Sequence, residues 1–263
     1  MKIIQMTDLH YGGKNEAIYH KEPAMMLRLA IEDINKNHGD ADFVFLTGDL
    51  AHRGSVEAYA YLKEDLDALA MPYYLVLGNH DSRKNALKIF ENLREDENGF
   101  IQYALEFQNE VFLMLDTLQE VGHGGEYCAK RRAWLRGQLE RYGGKNIYLC
   151  LHHAPFATGL RAMDKIGLRQ EDAEDLYAIL QPYDGVRHLF FGHYHSTMCG
   201  RWGKFSFSSL KGINHQVRLD FQSEDEVFIE FRNPEYSLIL IENEVLNVHF
   251  RDFSHQSQAL RED

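Results

Sequence analysis

Lys2-Ile3-Ile4-Gln5-Met6-Thr7-Asp8-Leu9-His10 is an apolar run that ends on a carboxylate and an imidazole two residues apart. A short apolar stretch that stops on polar residues reads as a buried strand. The pattern recurs: Phe43 to Leu46 runs into Gly48-Asp49, Tyr73 to Leu77 into Gly78-Asn79-His80-Asp81, Ile147 to Leu151 into His152-His153, and His188 to Phe191 into Gly192-His193-Tyr194-His195. Between the first strands, Pro23 to Asn37 carries Met26, Leu29, Ala30 and Ile34 at helical spacing, and Ser55 caps a helix with Tyr59, Leu62, Leu66 and Leu69 on one face. The order is therefore βαβαβ, and open α/β sheets gather ligand-binding groups where their strands end.

Working outward, Ser82 to Leu93 reads as a helix, and Ile101 to Phe107 with Val111 to Leu115 as paired strands around a turn at Asn109. A helix from about Lys130 to Tyr142 stops at Gly143-Gly144, another runs from about Glu171 to Leu180, and beyond Gly200 the chain is mostly strand. Alternating elements followed by consecutive strands predict an α/β fold, with sheets packed on each other and helices outside. A chain of 263 residues with 44% hydrophobic content can bury one large core. Residues 1–200 are expected to form the catalytic core and 201–263 to complete the same domain, with an interface to other copies as a further expectation there.

A formal charge of −12 argues against broad binding to nucleic acid or anionic membrane, so neither partner is expected. Cys128, Cys150 and Cys199 are far apart and odd in number, which excludes a disulfide framework or a CxxC site and predicts a reducing, cytoplasmic setting. The start at Met1-Lys2-Ile3-Ile4 lacks a leader pattern, and no apolar run reaches membrane-spanning length.

The five blocks supply carboxylate, amide oxygen and imidazole, with no thiolate, in number enough for two metal ions. That donor set suits Mn, Fe, Zn or Co in a catalytic setting. Asp8 and His10, like His193 and His195, are two apart, so an extended backbone would point each pair to one side. Gly48, Gly78 and Gly192 allow the chain to turn sharply just before a ligand-type side chain. Each block taken singly has an ordinary reading as a turn or a hydrogen-bonded histidine; their order and joint presence carry the inference.

That ordered set, D-x-H, GD, GNHD, a strand-end His and GH-x-H from Asp8 to His195, resembles the calcineurin-like metallophosphoesterase family. Within it the segments look most like bacterial class III cyclic-nucleotide phosphodiesterases and related glycerophosphodiesterases. His152-His153-Ala154-Pro155 stands where those have His-His-Pro-Pro, a conservative departure, and Ile213-Asn214-His215-Gln216 follows the last metal motif. The resemblance implies a four-layer αββα sandwich of two mixed sheets flanked by helices. It implies two divalent or trivalent transition-metal ions per chain, one held by Asp8, His10, Asp49 and His195, the other by Asn79, His152 and His193, with Asp49 shared. Spacing alone does not choose between His152 and His153; the first of the pair is the ligand in similar sequences.

The implied activity is that of a metal-dependent phosphoric ester hydrolase, a phosphodiesterase for small diesters of cyclic-nucleotide or glycerophosphodiester type. Two divalent ions against Asp8 and Asp49 leave a charge of about +2, which attracts phosphate, and a metal-bridging hydroxide would attack phosphorus in line with the leaving oxygen. His80 would act at the leaving group, and Asn79, His80 and His215 would contact the substrate. The alternatives are a phosphomonoesterase or nucleotidase, a nuclease, or a non-enzymatic scaffold; related enzymes also suggest a homo-oligomer, with Phe221, Phe228, Tyr236 and Phe253 as interface candidates.

Other features read as ordinary. His52 can face the site or merely line its loop. His20, His38, His123, His188, His249 and His255 lack ligand spacing and read as structural or solvent-facing. Lys130-Arg131-Arg132 reads as a solvated turn rather than an anion patch. Tyr11, Tyr19 and Phe156 are candidates to stack on a base, and the connections Tyr11 to Glu22 and Phe156 to Arg169 are candidate active-site loops.

Overall fold

The computed structural model describes residues 1–254; His255 lies outside the described residues. The first sheet joins β1 (Lys2–Met6), β2 (Phe43–Thr47) and β3 (Tyr73–Val76) in parallel through α1 (Pro23–His38) and α2 (Val56–Leu66). The Ser55 side chain accepts from the Ala58 N–H and so caps α2, as its sequence position predicts. Two long C-terminal strands, β12 (Glu235–Glu242) and β13 (Val245–Asp252), extend this sheet antiparallel beyond β1.

The second sheet runs β4 (Tyr103–Phe107), β5 (Glu110–Met114), β6 (Asn146–Cys150), β7 (Val186–Phe191), β9 (Phe205–Ser209) and β8 (Met198–Trp202), in that spatial order. Its β5, β6, β7 and β9 are parallel; β4 and β8 close the edges antiparallel. The two mixed sheets pack face to face through aromatic contacts such as Phe45 with Phe190 and Phe43 with Phe107, their ring centres 5.4 and 4.9 Å apart. Helices α1 and α2 cover the first sheet, and α4 (Ala129–Arg141) and, after the single turn α5 (Arg161–Asp164), α6 (Gln170–Leu180) bury Leu135, Leu139, Leu176 and Ile179 in the core that includes Val111, Ile147 and Leu189 of the second. The fold is thus the four-layer αββα sandwich.

Some expectations need correction. The helix predicted over Ser82 to Leu93 is a single turn, α3 (Arg83–Ala86), followed by tight turns in which Lys88, Ile89 and Leu93 each donate to the carbonyl three residues back. Ala86, Phe90 and Leu93 enter the core from these turns, as they would from one face of a helix, so their spacing does not distinguish the two. Beyond β9, among the described residues, only β10 (Gln216–Val217), β11 (Ile229–Glu230), β12 and β13 are strands, so the segment between β9 and β12 is largely loop. Of the four aromatics considered for an interface, Tyr236 and Phe253 are buried and stacked on each other, whereas Phe221 and Phe228 are exposed.

Registers set the position of the chemistry. Met6 pairs with Leu46 and Thr47 with Val76, while Cys150 pairs with Phe190, so β1, β2, β3, β6 and β7 end together at one edge of the sandwich. All five ligand-type blocks emerge there.

Candidate metal centre

Asp8, His10, Asp49, His193 and His195 are all buried, and all five have left-handed backbone, with φ of 52°, 48°, 50°, 67° and 48°. The extended geometry expected for the D-x-H and H-x-H pairs is therefore not what aims them. A left-handed residue costs of order 1 kcal/mol or more outside glycine, and five together mark a site that the surrounding fold holds in place. Backbone hydrogen bonds do the holding: Asp8 N donates to Gly48 O at 3.1 Å and His10 N to Asp49 O at 2.9 Å. Glycine is required beside them, because a Cβ on Gly48 would collide with the His152 ring and one on Gly78 with Asp49.

The side chains form two half-sites around Asp49. On one side His10 Nε2 lies 3.5 Å from Asp49 Oδ2 and 3.2 Å from His195 Nε2, and His195 Nε2 lies 3.3 Å from Asp8 Oδ1. On the other, His152 Nε2 lies 3.4 Å from Asp49 Oδ1 and 3.2 Å from Asn79 Oδ1, with the His193 ring 5.1 Å from that of His152. The two oxygens of one carboxylate thus face two separate sets of donors.

Ring orientation is fixed from behind. His152 Nδ1 donates to Thr47 O at 2.7 Å and His195 Nδ1 to His215 O at 2.8 Å, which turns each Nε2 toward the cluster. His153 differs: Thr117 Oγ1 lies 2.9 Å from its Nδ1 and His123 O lies 3.3 Å from its Nε2, so both ring nitrogens are engaged elsewhere. His153 still groups with His152 and His193, its ring 4.5 Å from that of His193, so both members of the pair border this half-site.

Electrostatics agree with a site built for positive charge. Burial opposes ionisation of Asp49, but the facing His152, with His80 and His10, holds its carboxyl well below the usual carboxylate range. Burial likewise opposes protonation of His152, yet the charge of Asp49 pushes it up to about 9, whereas burial keeps His10 and His193 neutral. Asp8 Oδ2 and His193 Nε2 are buried with no hydrogen-bond partner among the described residues, one in each half-site. Buried polar atoms left unpaired are costly, and a cation in each half-site would satisfy both. The donor set therefore fits transition-metal ions.

Around the cluster, His80 sits at the mouth with its Nδ1 on the carbonyl of His52 at 2.8 Å, which leaves Nε2 for a ligand. His215 is buried rather than solvated, its ring 4.7 Å from His10 and 4.2 Å from His195. His52 faces the site, with its Nδ1 3.2 Å from that of His10. His123, read from sequence as peripheral, packs 5.4 Å from the His80 ring and lies 3.4 Å from the Asn79 amide. Its signal is a histidine set between glycines on the loop after β5, which ends at the same edge.

Of the aromatics, Tyr19 reaches the site, its ring 4.7 Å from that of His215. Tyr11 is buried and its hydroxyl bonds Asp65; Phe156 packs on Phe191, Trp202 and Phe207. The loop from Phe156 to Arg169 lines a cavity of about 1040 Å³ with Tyr177 and Trp202, and none of the clustered donors borders it. A cavity of about 590 Å³ bordered by Asn79, Ser82, Leu118 and Gly122 adjoins the donors instead. Arg131 is not in a solvated turn but buried, 3% exposed. His188 is buried between Ser206 and Ser208.

The family model described as calcineurin-like phosphoesterase matches residues 1–197. The chain belongs to that family. It is a metal-dependent phosphoesterase. It is 35% identical over 97% of its length, and 93% of the relative's, to a probable cyclic nucleotide phosphodiesterase of Rhodopseudomonas palustris. It is 29% identical over 90% of its length, and 88% of the relative's, to a probable glycerophosphodiester phosphodiesterase of Arcobacter nitrofigilis. Among solved structures, a dimetal phosphatase from Danio rerio shares the fold with a TM-score of 0.74 at 16% identity, over 96% of both chains. No helix among the described residues is long and apolar enough to cross a membrane.

Proposed function

We propose that this phosphoesterase is a dinuclear-metal-dependent phosphodiesterase acting on small diesters of the cyclic-nucleotide or glycerophosphodiester type. The observation that carries the reading is the placement of Asp49, whose Oδ2 faces His10 and Oδ1 faces His152, each 3.5 Å or less away. Asp8, His10, Asp49 and His195 would hold one ion; Asp49, Asn79, His152 and His193 the other, drawn from Mn, Fe, Zn and Co. Such a pair, when bound, supplies Lewis-acid activation of water and neutralises phosphate charge.

The chain's own groups do the rest. Thr47 O and His215 O keep two imidazoles aimed, so that little reorganisation is needed when substrate arrives. Asn79 and His80 would meet the phosphoryl group; His80, its Nδ1–H committed to His52 O, turns Nε2 toward the leaving oxygen and as the imidazolium would give up a proton there. His215 and Tyr19 pack on each other beside His10 and His52, where a second substituent of a diester would find an apolar face. The two relatives are both named phosphodiesterases, which favours a diester over a monoester. The same reading takes residues 1–200 as the catalytic core, completed by the strands beyond, and leaves exposed Phe221 and Phe228 for contact between copies.

The test is metal content and substrate choice together. Purified protein reconstituted with manganese should hold two equivalents and hydrolyse bis(p-nitrophenyl) phosphate faster than p-nitrophenyl phosphate, with activity lost on chelation. A panel of cAMP, glycerophosphocholine, a nucleoside monophosphate and single-stranded DNA then ranks substrates. Preference for the monophosphate or the DNA would refute the diester reading.

A further inference from the structure

Three ligand-type imidazoles of the cluster have an identified partner behind them, and the partners differ in kind. His152 and His195 donate from Nδ1 to backbone carbonyls, which no substitution removes. His10 faces a side chain: its Nδ1 lies 3.2 Å from Nδ1 of His52. Two ring nitrogens at that distance share one hydrogen, so one donates and the other accepts. His10 Nε2, meanwhile, lies within 3.5 Å of both Asp49 and His195, where its lone pair would serve once an ion lies between them.

We propose that His52 is a positioning residue, whose Nδ1 accepts from the Nδ1–H of His10 and so holds His10 in the tautomer that presents Nε2 to the half-site of Asp8 and His195. This rests on the metal assignment above and deepens it. Residue 52 is itself well held. Its N–H donates to Tyr11 O at 2.8 Å and its carbonyl accepts from His80 Nδ1 at 2.8 Å. Its ring lies parallel to that of His80, centres 5.1 Å apart and planes at 17°. One residue therefore sets two imidazoles, His10 through its side chain and His80 through its backbone, and only the first can be altered by substitution. A group behind a ligating histidine commonly governs metal affinity by about 10- to 100-fold.

The experiment compares wild type, His52→Asn and His52→Leu. Asparagine can place an acceptor oxygen near the position of Nδ1, whereas leucine fills the space without one. Manganese retention by equilibrium dialysis should give two equivalents for wild type. His52→Leu should bind one of the two about 10- to 100-fold more weakly. His52→Asn should recover to within several-fold of wild type. On zinc-loaded protein, long-range ¹H–¹⁵N spectra should show the His10 Nδ1–H shifted downfield by its hydrogen bond in wild type and His52→Asn and not in His52→Leu. Equal binding of both ions by wild type and His52→Leu overturns the inference while leaving the dinuclear reading in place. Failure of His52→Asn to recover also overturns it, because it points to packing. Wild type that takes up fewer than two equivalents overturns the dinuclear reading and this inference with it.

Discussion

Asp49 Oδ1 and His152 Nε2 lie 3.4 Å apart in a fully buried pocket, and their charges hold each other ionised against the cost of burial. A protein gains nothing structural from such a pair that a well-packed apolar pair would not supply. The arrangement makes sense as the frame of a site for cations.

Replacing Asp49 by Asn tests that frame with minimal change of shape. Asn can still accept the His80 N–H that now meets Oδ1 at 2.9 Å, so the fold should persist. The shared negative charge is lost, and turnover of bis(p-nitrophenyl) phosphate should fall by at least about a thousand-fold, roughly 4 kcal/mol in barrier. The melting temperature of the metal-free variant should stay within a few degrees of wild type. Activity within tenfold of wild type would dismiss Asp49 as the shared ligand.

His152 and His153 should respond differently to the same change. His152→Ala removes a nitrogen aimed at Asp49 and Asn79, and should cost one equivalent of bound metal. His153→Ala removes a ring that joins Thr117 Oγ1 to His123 O, and should leave both equivalents bound while loosening the loop that carries His123. Metal analysis of the two variants decides the matter, and loss of an equivalent in His153→Ala alone would reverse the assignment.

How much of this was legible in the chain depends on range. The strands β1, β2 and β3, their helices and the five ligand blocks are local patterns of apolar run and turn, and their order needs only neighbouring residues to be read. What brings Asp8 and His10 to one point is left-handed backbone imposed by hydrogen bonds to Gly48 and Asp49, about forty residues away, and spacing cannot reveal that. For the same reason His52 reads either way from sequence, and His123 reads as structural or solvent-facing. Each acts through a partner distant in sequence, His10 for one and Asn79 for the other. The single turn at α3 was hidden because Ala86, Phe90 and Leu93 fit a helical period equally well until the core they enter is known.

His188 gives a pH dependence remote from the donor cluster. Burial pushes it down to about 3 from an ordinary 6.5, with its ring nitrogens 2.8 and 2.9 Å from the Ser206 and Ser208 hydroxyls. The unfolded chain takes up a proton below pH 6.5 that the folded one refuses. Its contribution is therefore complete above 6.5 and is lost progressively as pH falls from there toward 3, by up to about 1.4 kcal/mol per pH unit. His188→Gln cannot titrate, so its stability should fall less steeply than that of wild type between pH 6.5 and 5. Parallel denaturation curves for the two proteins would contradict the burial argument.

Arg131 should be among the costliest side chains to remove outside the donor cluster. Its Nη1 donates to the carbonyls of Asp116, Leu118 and Glu126 at 3.0, 3.0 and 2.6 Å, and its guanidinium lies 4.4 Å from the centre of the Phe100 ring. Those carbonyls flank the loop that bears His123, so one buried cation closes the loop at its base. Arg131→Met keeps much of the packing but takes this donor from the carbonyls of Asp116 and Glu126, while Leu118 O keeps Arg83 Nη2 at 2.6 Å, at a cost of about 3 kcal/mol. For a chain of this size that corresponds to a fall in melting temperature of roughly 6 to 12 °C. Proteolytic nicking near Gly122 should rise as well, since the loop would open while the sheets remain folded. A variant that melts with wild type and resists the protease would show that the loop is held by its own turns and not by Arg131.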